Sequence, residues 1–343
     1  MLEGRVSLIP DAIAELVHAG HDVYVEQGAG ILSGYSDDDY QKAGAQLLPD
    51  KQALYGEVSL IIRVKEPIEE DLQLLTAAHT VFSFLHLAPQ PALTERLQNI
   101  GLTAIGFETV MNRHGGLPLL APMSQIAGRI ATQIGAHLLH EPEGGKGILL
   151  GGIAGTERGH VVVLGGGNAG ASAAQLAAQM GAQVTVFDKD NAKLERLRTN
   201  YDTLTTLYPY NKRLHEAVAQ ADLLIGAVLI PGAEAPHIVS KSMVEQMRPG
   251  SVIIDISVDQ GGCIETTHAT DYATPTYQYA GVTHFGVTNM PGAVPRTASQ
   301  ALSAALTPYV LRLAEAGPDS DDGLKSGIQI RDGAICHPAL MVR

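Results

Sequence analysis

The sequence has no tryptophan, two cysteines and only 5% aromatic residues in a chain of 343. Two thiols, Cys263 and Cys336, are too few for a disulfide framework or a cysteine-rich metal site, and they point to a reducing, cytoplasmic setting. No histidine pair has helical metal-ligand spacing with a carboxylate partner, so no metal is expected. Charged residues are sparse at 17% against 45% hydrophobic, which excludes intrinsic disorder. The longest apolar stretch, around Leu223 to Ile230, falls far short of a membrane span. The opening residues Met1-Leu-Glu-Gly-Arg5 hold no apolar signal core. Basic residues are outnumbered 23 to 36, and a net charge of −13 repels phosphate backbones, so nucleic acid is not an expected partner. What is abundant is glycine, at 37 residues, which suits the tight strand-to-helix turns of α/β folds.

Strand-like and helix-like segments alternate, as they do in parallel sheets with helical crossovers. In the first third, Asp22–Glu26, Ser59–Lys65, Thr80–Leu87 and Thr103–Thr109 read as buried strands. Pro10–His18, Ser36–Ala43 and Ala92–Ile100 read as helices; Pro10 suits a first helical turn, and Gly20 stops the helix. Met123–His140 is a longer helix with Ile126, Ile130, Ile134 and Leu138 at four-residue spacing. Gly144–Gly155 reads as a turn or linker. A second set follows, with strands at Val161–Leu164, Gln183–Phe187, Ala221–Ala227 and Ser251–Ile256. Its helices are Ala169–Met180, Ala192–Arg198, Lys241–Met247 and the long Thr297–Ala316. The last twenty residues form short elements of open type.

His160-Val-Val-Val-Leu-Gly165-Gly-Gly167-Asn-Ala-Gly170 is a buried strand entering G-x-G-x-x-G and an Ala-rich helix. Gly165 serves the tight turn, Gly167 the approach of backbone to a pyrophosphate, and Gly170 close helix–strand packing. The helix N-terminus adds free N–H groups and the positive end of its dipole. A second strand ends at Asp188, 18 residues past Gly170. A carboxylate there accepts from a ribose 2′-hydroxyl and repels a 2′-phosphate, which favours NAD over NADP.

Four ionisable residues stand at or just past strand ends, where open α/β sheets place ligands: Lys65, His86, Asp259 and, near the start, Arg5. Taken singly, each also has a structural reading. A His within an apolar strand is commonly a hydrogen-bonded core residue, Lys65 precedes Glu-Pro as a solvated strand end would, Asp259 before Gln-Gly-Gly suits a turn, and Arg5 suits a surface.

Together the motifs resemble the alanine dehydrogenase family, which includes the α subunit of nicotinamide nucleotide transhydrogenase. The resemblance is carried by Glu3-Gly-Arg5-Val-Ser-Leu-Ile-Pro10, Val64-Lys65-Glu-Pro67, Phe84-Leu-His86-Leu-Ala88 and Ala121-Pro-Met-Ser124-Gln-Ile-Ala-Gly-Arg129, besides the glycine fingerprint. Further on it is carried by Ile225–Gly232, Asp255-Ile-Ser-Val-Asp259-Gln-Gly-Gly262 and Thr288-Asn289-Met290-Pro-Gly-Ala-Val-Pro295. It implies reversible oxidation of L-alanine by NAD to pyruvate and ammonium, and a commonly homohexameric assembly. Arg5 and Lys65 would bind substrate; His86 would be the general acid/base and Asp259 the second catalytic residue. The NAD set would be Ser124, Gly165, Gly167, Asn168, Ala169, Gly170, Asp188, Lys193, Val228, Leu229, Ile256, Ser257, Val258, Asp259, Val287, Thr288, Asn289 and Met290. The implied fold is α/β, two Rossmann-like domains with parallel sheets and the substrate/NAD cleft between them, closing by a hinge that excludes water. Residues 1–123 plus 305–343 would form a discontinuous substrate domain, and residues 124–304 the NAD-binding domain.

The chain departs from the family in places. An upstream strand of the I-G-V-P-K-E type is absent, an absence expected to leave ladder groups unpaired. The C-terminal end is shorter than usual. Tyr208-Pro-Tyr210-Asn stands where a small hydroxyl residue usually contacts adenosine, and His268 where Arg is common. Two other readings follow: a non-catalytic NAD-binding homologue, motivated by the absent strand, and a transhydrogenase α-like subunit, against which the Pro-Met-Ser segment speaks.

Overall fold

A computed structural model describes residues 3–228 and 235–341 of the chain. They fall into two compact units, one spanning Ser124–Pro291 and the other formed by the residues up to Met123 and from Gly292 onward. The sequence reading put the return to the domain of residues 1–123 at residue 305. It lies at Gly292, because the helix beginning at Pro295 belongs with the earlier residues along its whole length: Ser299 and Ser303 accept from the backbone N–H groups of Val6 and Ile9.

The unit Ser124–Pro291 is built on a seven-stranded sheet. Across it run Thr276–Tyr279, Val282–Phe285, Val252–Asp255, Leu223–Gly226, His160–Leu164, Gln183–Phe187 and Thr205–Leu207. Six are parallel, in the order 3-2-1-4-5-6 of a Rossmann fold, and Thr276–Tyr279 adds an antiparallel edge. The three central strands are apolar because helices cover both faces of such a sheet. Val162, Leu164, Leu224 and Ile253 join Val218, Met243 and Val244 in one core. Strand order reverses between His160–Leu164 and Leu223–Gly226, the switch point where open α/β sheets bind ligands. The segment read as a turn or linker, Gly144–Gly155, is a run of turns tied down beside the sheet: Lys146 Nζ lies 2.6 Å from Asp222 Oδ1.

One helix and three strands here escaped the sequence reading. Asn211–Gln220 is a helix that buries only Leu214 and Val218, and Thr205–Leu207 is a three-residue strand without a fully buried residue. The hairpin of Thr276–Tyr279 and Val282–Phe285 turns on Ala280 and Gly281, both at positive φ, the chemistry of a two-residue type I′ turn. The helix expected over Lys241–Met247 ends at Val244.

The other unit carries a five-stranded sheet in the order Ala334–Ile335, Ile328–Arg331, Thr103–Gly106, Thr80–Ser83, Leu60–Ile62. The last three are parallel, and Ile328–Arg331 runs antiparallel to both its neighbours, so this sheet is mixed. Tyr24–Glu26 pairs with Gln46–Leu48 in a separate parallel ribbon. Val81, Leu97, Leu102, Ala104 and Ile330 build the core. Two strands stop earlier than their apolar runs. Thr80–Ser83 ends before Phe84-Leu85-His86, and Thr103–Gly106 gives way to a 3-10 turn over Phe107–Thr109. Apolarity there marks buried loop, not ladder: Phe84, Leu85 and Phe107 are buried off the strand ends, with Phe107 edge-on to both Phe82 and Phe84.

Candidate active site

The glycine loop follows from sterics. A Cβ on Gly170 would lie 1.8 Å from the Gly165 carbonyl oxygen, and one on Gly165, at φ +100°, would lie 2.5 Å from that of Ala227. Only glycine lets helix Asn168–Gln179 and strand Leu223–Gly226 close on the turn this tightly. Gly167, by contrast, faces open space. It caps the helix with no side-chain acceptor, so the N–H groups of the first turn, at exposed Asn168 and half-buried Ala169, are offered outward.

Asp188 links the loop to the ribose side. Its Oδ2 accepts from Gly166 N at 2.6 Å and its Oδ1 from Asp190 N at 2.8 Å, while Lys193 Nζ stands 3.8 Å away. The side chain stays 12% exposed, and its oxygens keep lone pairs for a diol. An open backbone turn, an uncapped helix N-terminus and a carboxylate at the next strand end fit the pyrophosphate and ribose of NAD. The strand next to Asp188 runs on into exposed Tyr208 and Tyr210, whose rings are 4.9 Å apart. Ser124, half-buried, opens the helix segment that packs behind the loop: Gly128 would place a Cβ 2.1 Å from the Ala169 carbonyl oxygen. Val228 is half-buried, and Leu229 lies outside the described residues.

At the end of strand Val252–Asp255 the chain makes a 3-10 turn, Ile256–Gln260, that exposes Asp259. Asn289, at φ +54°, donates its backbone N–H to both Asp259 oxygens at 3.3 Å. Ser257, Val258, Val287 and Met290 are buried, so their side chains pack the turn; Ile256, Thr288 and Asn289 are half-buried. His268 is exposed and stacks on Tyr277 at 3.8 Å.

The other unit holds the remaining ionisable residues. Arg5 is buried, and Glu3 takes it in a fork: Nε to Oε1 at 2.8 Å and Nη2 to Oε2 at 2.7 Å. Its Nη1 reaches Met123 Sδ at 3.4 Å, a weak acceptor. Burial pushes the Glu3 carboxyl up, but hydrogen bonds and charge from Arg5, with Lys65 adding, hold it below its usual range. Lys65 is half-buried three residues past strand Leu60–Ile62.

His86 is not a strand residue. It sits at φ +48°, half-buried, with its ring stacked on Phe84 at 5.9 Å. The backbone N–H groups of Leu85 and His86 donate to Glu108 Oε2 at 3.2 Å and Oε1 at 2.9 Å. Gln329 Nε2, from the C-terminal strand, also donates to Glu108 Oε1 at 2.8 Å. One carboxylate thus holds the His86 turn.

Each unit therefore gathers its own groups: Arg5 with Glu3 and the charge of Lys65, His86 with Glu108, Asp188 with Gly166, and Asp259 with Asn289. Sequence reasoning missed Glu3, Glu108, Gln329, Gly166 and the buried Asp255. Glu3 had a legible signal, two residues before Arg5. Glu108 had a weaker one, an acid in the first turn after a buried strand. Gln329, 221 residues from Glu108, had none. Among the described residues no group of three His, Cys, Asp or Glu is placed to hold a metal ion, and no helix is long and apolar enough to cross a membrane.

Comparison with known proteins identifies the family. Residues 1–127 match the family described as alanine dehydrogenase/PNT, N-terminal domain, and residues 131–338 the corresponding C-terminal domain. The chain is 46% identical to the alanine dehydrogenase of Halomonas elongata, over 98% of this chain and 92% of that one. A solved L-alanine dehydrogenase superposes with a TM-score of 0.94 at 47% identity, covering 99% of this chain and 95% of the other. The transhydrogenase from Sinorhizobium meliloti is more distant, with a TM-score of 0.83 at 26% identity over 98% of this chain and 96% of that one. Matched along both halves, the chain belongs to the alanine dehydrogenase/PNT family.

Proposed function

We propose that the protein is an NAD-dependent alanine dehydrogenase: L-alanine, NAD and water give pyruvate, ammonium, NADH and a proton. The observation that carries this reading is the near full-length match to alanine dehydrogenases, in a chain that retains Arg5, Lys65, His86, Asp188 and Asp259. The nucleotide half is the NAD-binding domain, and the other half the substrate domain.

NAD, when bound, supplies the acceptor for the hydride that leaves the substrate Cα. The chain's own residues bind, orient and move protons. Arg5 holds the substrate carboxylate, to which a guanidinium offers parallel donors. Its fork already takes the Glu3 carboxylate, so Glu3 orients Arg5 and leaves the Nη1 edge for substrate. Lys65 puts positive charge beside the reacting carbonyl or imine. His86 takes a proton from water as the water adds to the imine, and returns it to the leaving amine. Glu108 keeps the His86 turn in its strained conformation, and Asp259 handles the second proton or counters positive charge. Asn168 and Ala169 present the phosphate turn, Asp188 accepts from the ribose, and Lys193 lies beside it. Free cysteines fit a cytoplasmic protein, and family resemblance supports a homohexamer.

The test is NADH oxidation followed by near-UV absorbance, with pyruvate and ammonium together and with each omitted, and with NADPH in parallel. Turnover that needs both substrates and prefers NADH is expected. A folded protein that binds NADH without turnover overturns the reading in favour of a non-catalytic binding protein.

A further inference from the structure

Strand Val252–Asp255 ends in a carboxylate with no exposed surface. Asp255 Oδ1 accepts from Ser257 N at 2.9 Å. Its Oδ2 accepts from Cys263 N at 2.9 Å and Ile264 N at 3.3 Å, and Thr267 Oγ1 lies 2.7 Å away. The Cys263 thiol packs on Oδ1 at 3.6 Å. Two glycines leave room for the group: a Cβ on Gly226 would lie 2.8 Å from Oδ1, and one on Gly262 2.9 Å from Oδ2.

These contacts have one topological result. A single side chain holds both ends of the segment from Ser257 to Thr267. Inside that segment, Gly261 and Gly262 take positive φ, and Gly262 N closes back on Ser257 O at 3.0 Å. Asp259 is carried on the turn so enclosed. Burial pushes the Asp255 carboxyl above its usual range, against the pull of its four donors. A turn could be closed with a cheaper residue than a buried acid, because a buried polar group is costly unless every partner is in place. A site that needs a fixed catalytic group accepts such a cost, since rigid support by packing and hydrogen bonding is what holds reacting groups in register.

We propose that Asp255 is a positioning residue for the reaction, fixing where Asp259 stands by fastening the turn that carries it. The inference rests on the reading of Asp259 as a catalytic group. It predicts coupling between two residues of which only one meets the substrate.

The experiment measures kcat, KM and NADH dissociation constant for Asp255→Asn, Thr267→Val, Asp259→Asn and the Asp255→Asn/Asp259→Asn double variant. In Asp255→Asn an amide turns N–H toward backbone donors, so the turn loosens. Its kcat is expected to fall about tenfold to a hundredfold, the scale on which misplaced groups cost rate. NADH affinity is expected to fall by less than kcat, because the glycine loop and Asp188 are untouched and only the contacts of the turn itself loosen. Thr267→Val, which removes the hydroxyl that reaches both Asp255 Oδ2 and the Ile264 carbonyl oxygen at nearly constant shape, moves kcat the same way by a few-fold and decides the question if Asp255→Asn does not fold. Asp259→Asn falls by about a hundredfold or more, as loss of a proton-transfer group does. The double variant is expected within about twofold of Asp259→Asn, since a residue acting through another adds nothing once that other is gone. Multiplying losses, or full kcat in both Asp255→Asn and Thr267→Val while Asp259→Asn is impaired, overturn the positioning role alone. Full kcat in Asp259→Asn overturns the reading of Asp259, and this proposal with it.

Discussion

The backbone of His86, at φ +48°, is one that costs a non-glycine residue about 1–3 kcal/mol, and it persists only when its surroundings enforce it. Here the enforcement is Glu108, which takes two consecutive N–H groups on one carboxylate. His86→Ala is expected to lower kcat by about a hundredfold or more, with NADH binding intact by fluorescence titration. Glu108→Gln leaves one carbonyl oxygen where two anionic oxygens served three donors. It is expected to cost about tenfold in kcat, again without change in NADH affinity. Normal turnover in Glu108→Gln would mean that the His86 turn holds itself. Asp188 is a different case, because it shapes the glycine loop through Gly166 and, on the proposed reading, also repels a 2′-phosphate. In Asp188→Ser, NADH affinity and the preference for NADH over NADPH are therefore expected to fall together. An unchanged preference, measured as the ratio of the two kcat/KM values, would place 2′-phosphate discrimination elsewhere.

At the scale of elements, the two helices behind the nucleotide loop meet through small residues. Gly128 sits where a methyl would enter the Ala169 carbonyl at 2.1 Å, and Thr132 Oγ1 donates to the Ala173 carbonyl at 3.0 Å. The phosphate turn thus leans on a helix that approaches it closely at Gly128. Gly128→Ala is expected to raise the NADH dissociation constant severalfold, although residue 128 is not assigned to the ligand; an unchanged constant would show that the helices yield freely. On the other unit, strand Leu60–Ile62 is fastened by a buried ion cluster. Asp71 pairs with Arg63 and Lys51 and accepts from Ile68 N. Burial pushes the Asp71 carboxyl up, but Ile68 N and the two cations outweigh it and hold it below its usual range. A carboxyl so depressed adds stability that is fully present above its unfolded value, about 3.9, and is lost as pH falls through the lower folded value. Breaking such a buried pair costs about 3 kcal/mol. Asp71→Asn is therefore expected to melt several degrees lower at pH 7, with the gap closing below the unfolded value. A gap independent of pH would assign the loss to packing.

Across the whole molecule, legibility followed the range of the signal. The nucleotide half was readable because its strand, glycines and helix lie within some twenty consecutive residues, and Gly165 and Gly170 each answer to a local clash. Helix Pro10–His18 was readable to the residue from Pro10 and its apolar face. His86 was misread as a strand residue because buried loop and buried strand share one composition. Glu108 and Gln329 were invisible as partners because the contact joins residues far apart in sequence, and composition carries no trace of it. The same long-range closure makes the last prediction. The C-terminal segment contributes strands Ile328–Arg331 and Ala334–Ile335, buries Ile330 in the core around Val81 and Leu97 and brings Gln329 to Glu108. Among the described residues, none of it joins the core around His160–Leu164. A chain stopped after Gly317 exposes one edge of Thr103–Gly106 and deprives Glu108 of a donor. It is expected to keep NADH binding, read by fluorescence, and to lose amination of pyruvate. Turnover near that of the full chain would show that the His86 turn does not depend on the returning strands.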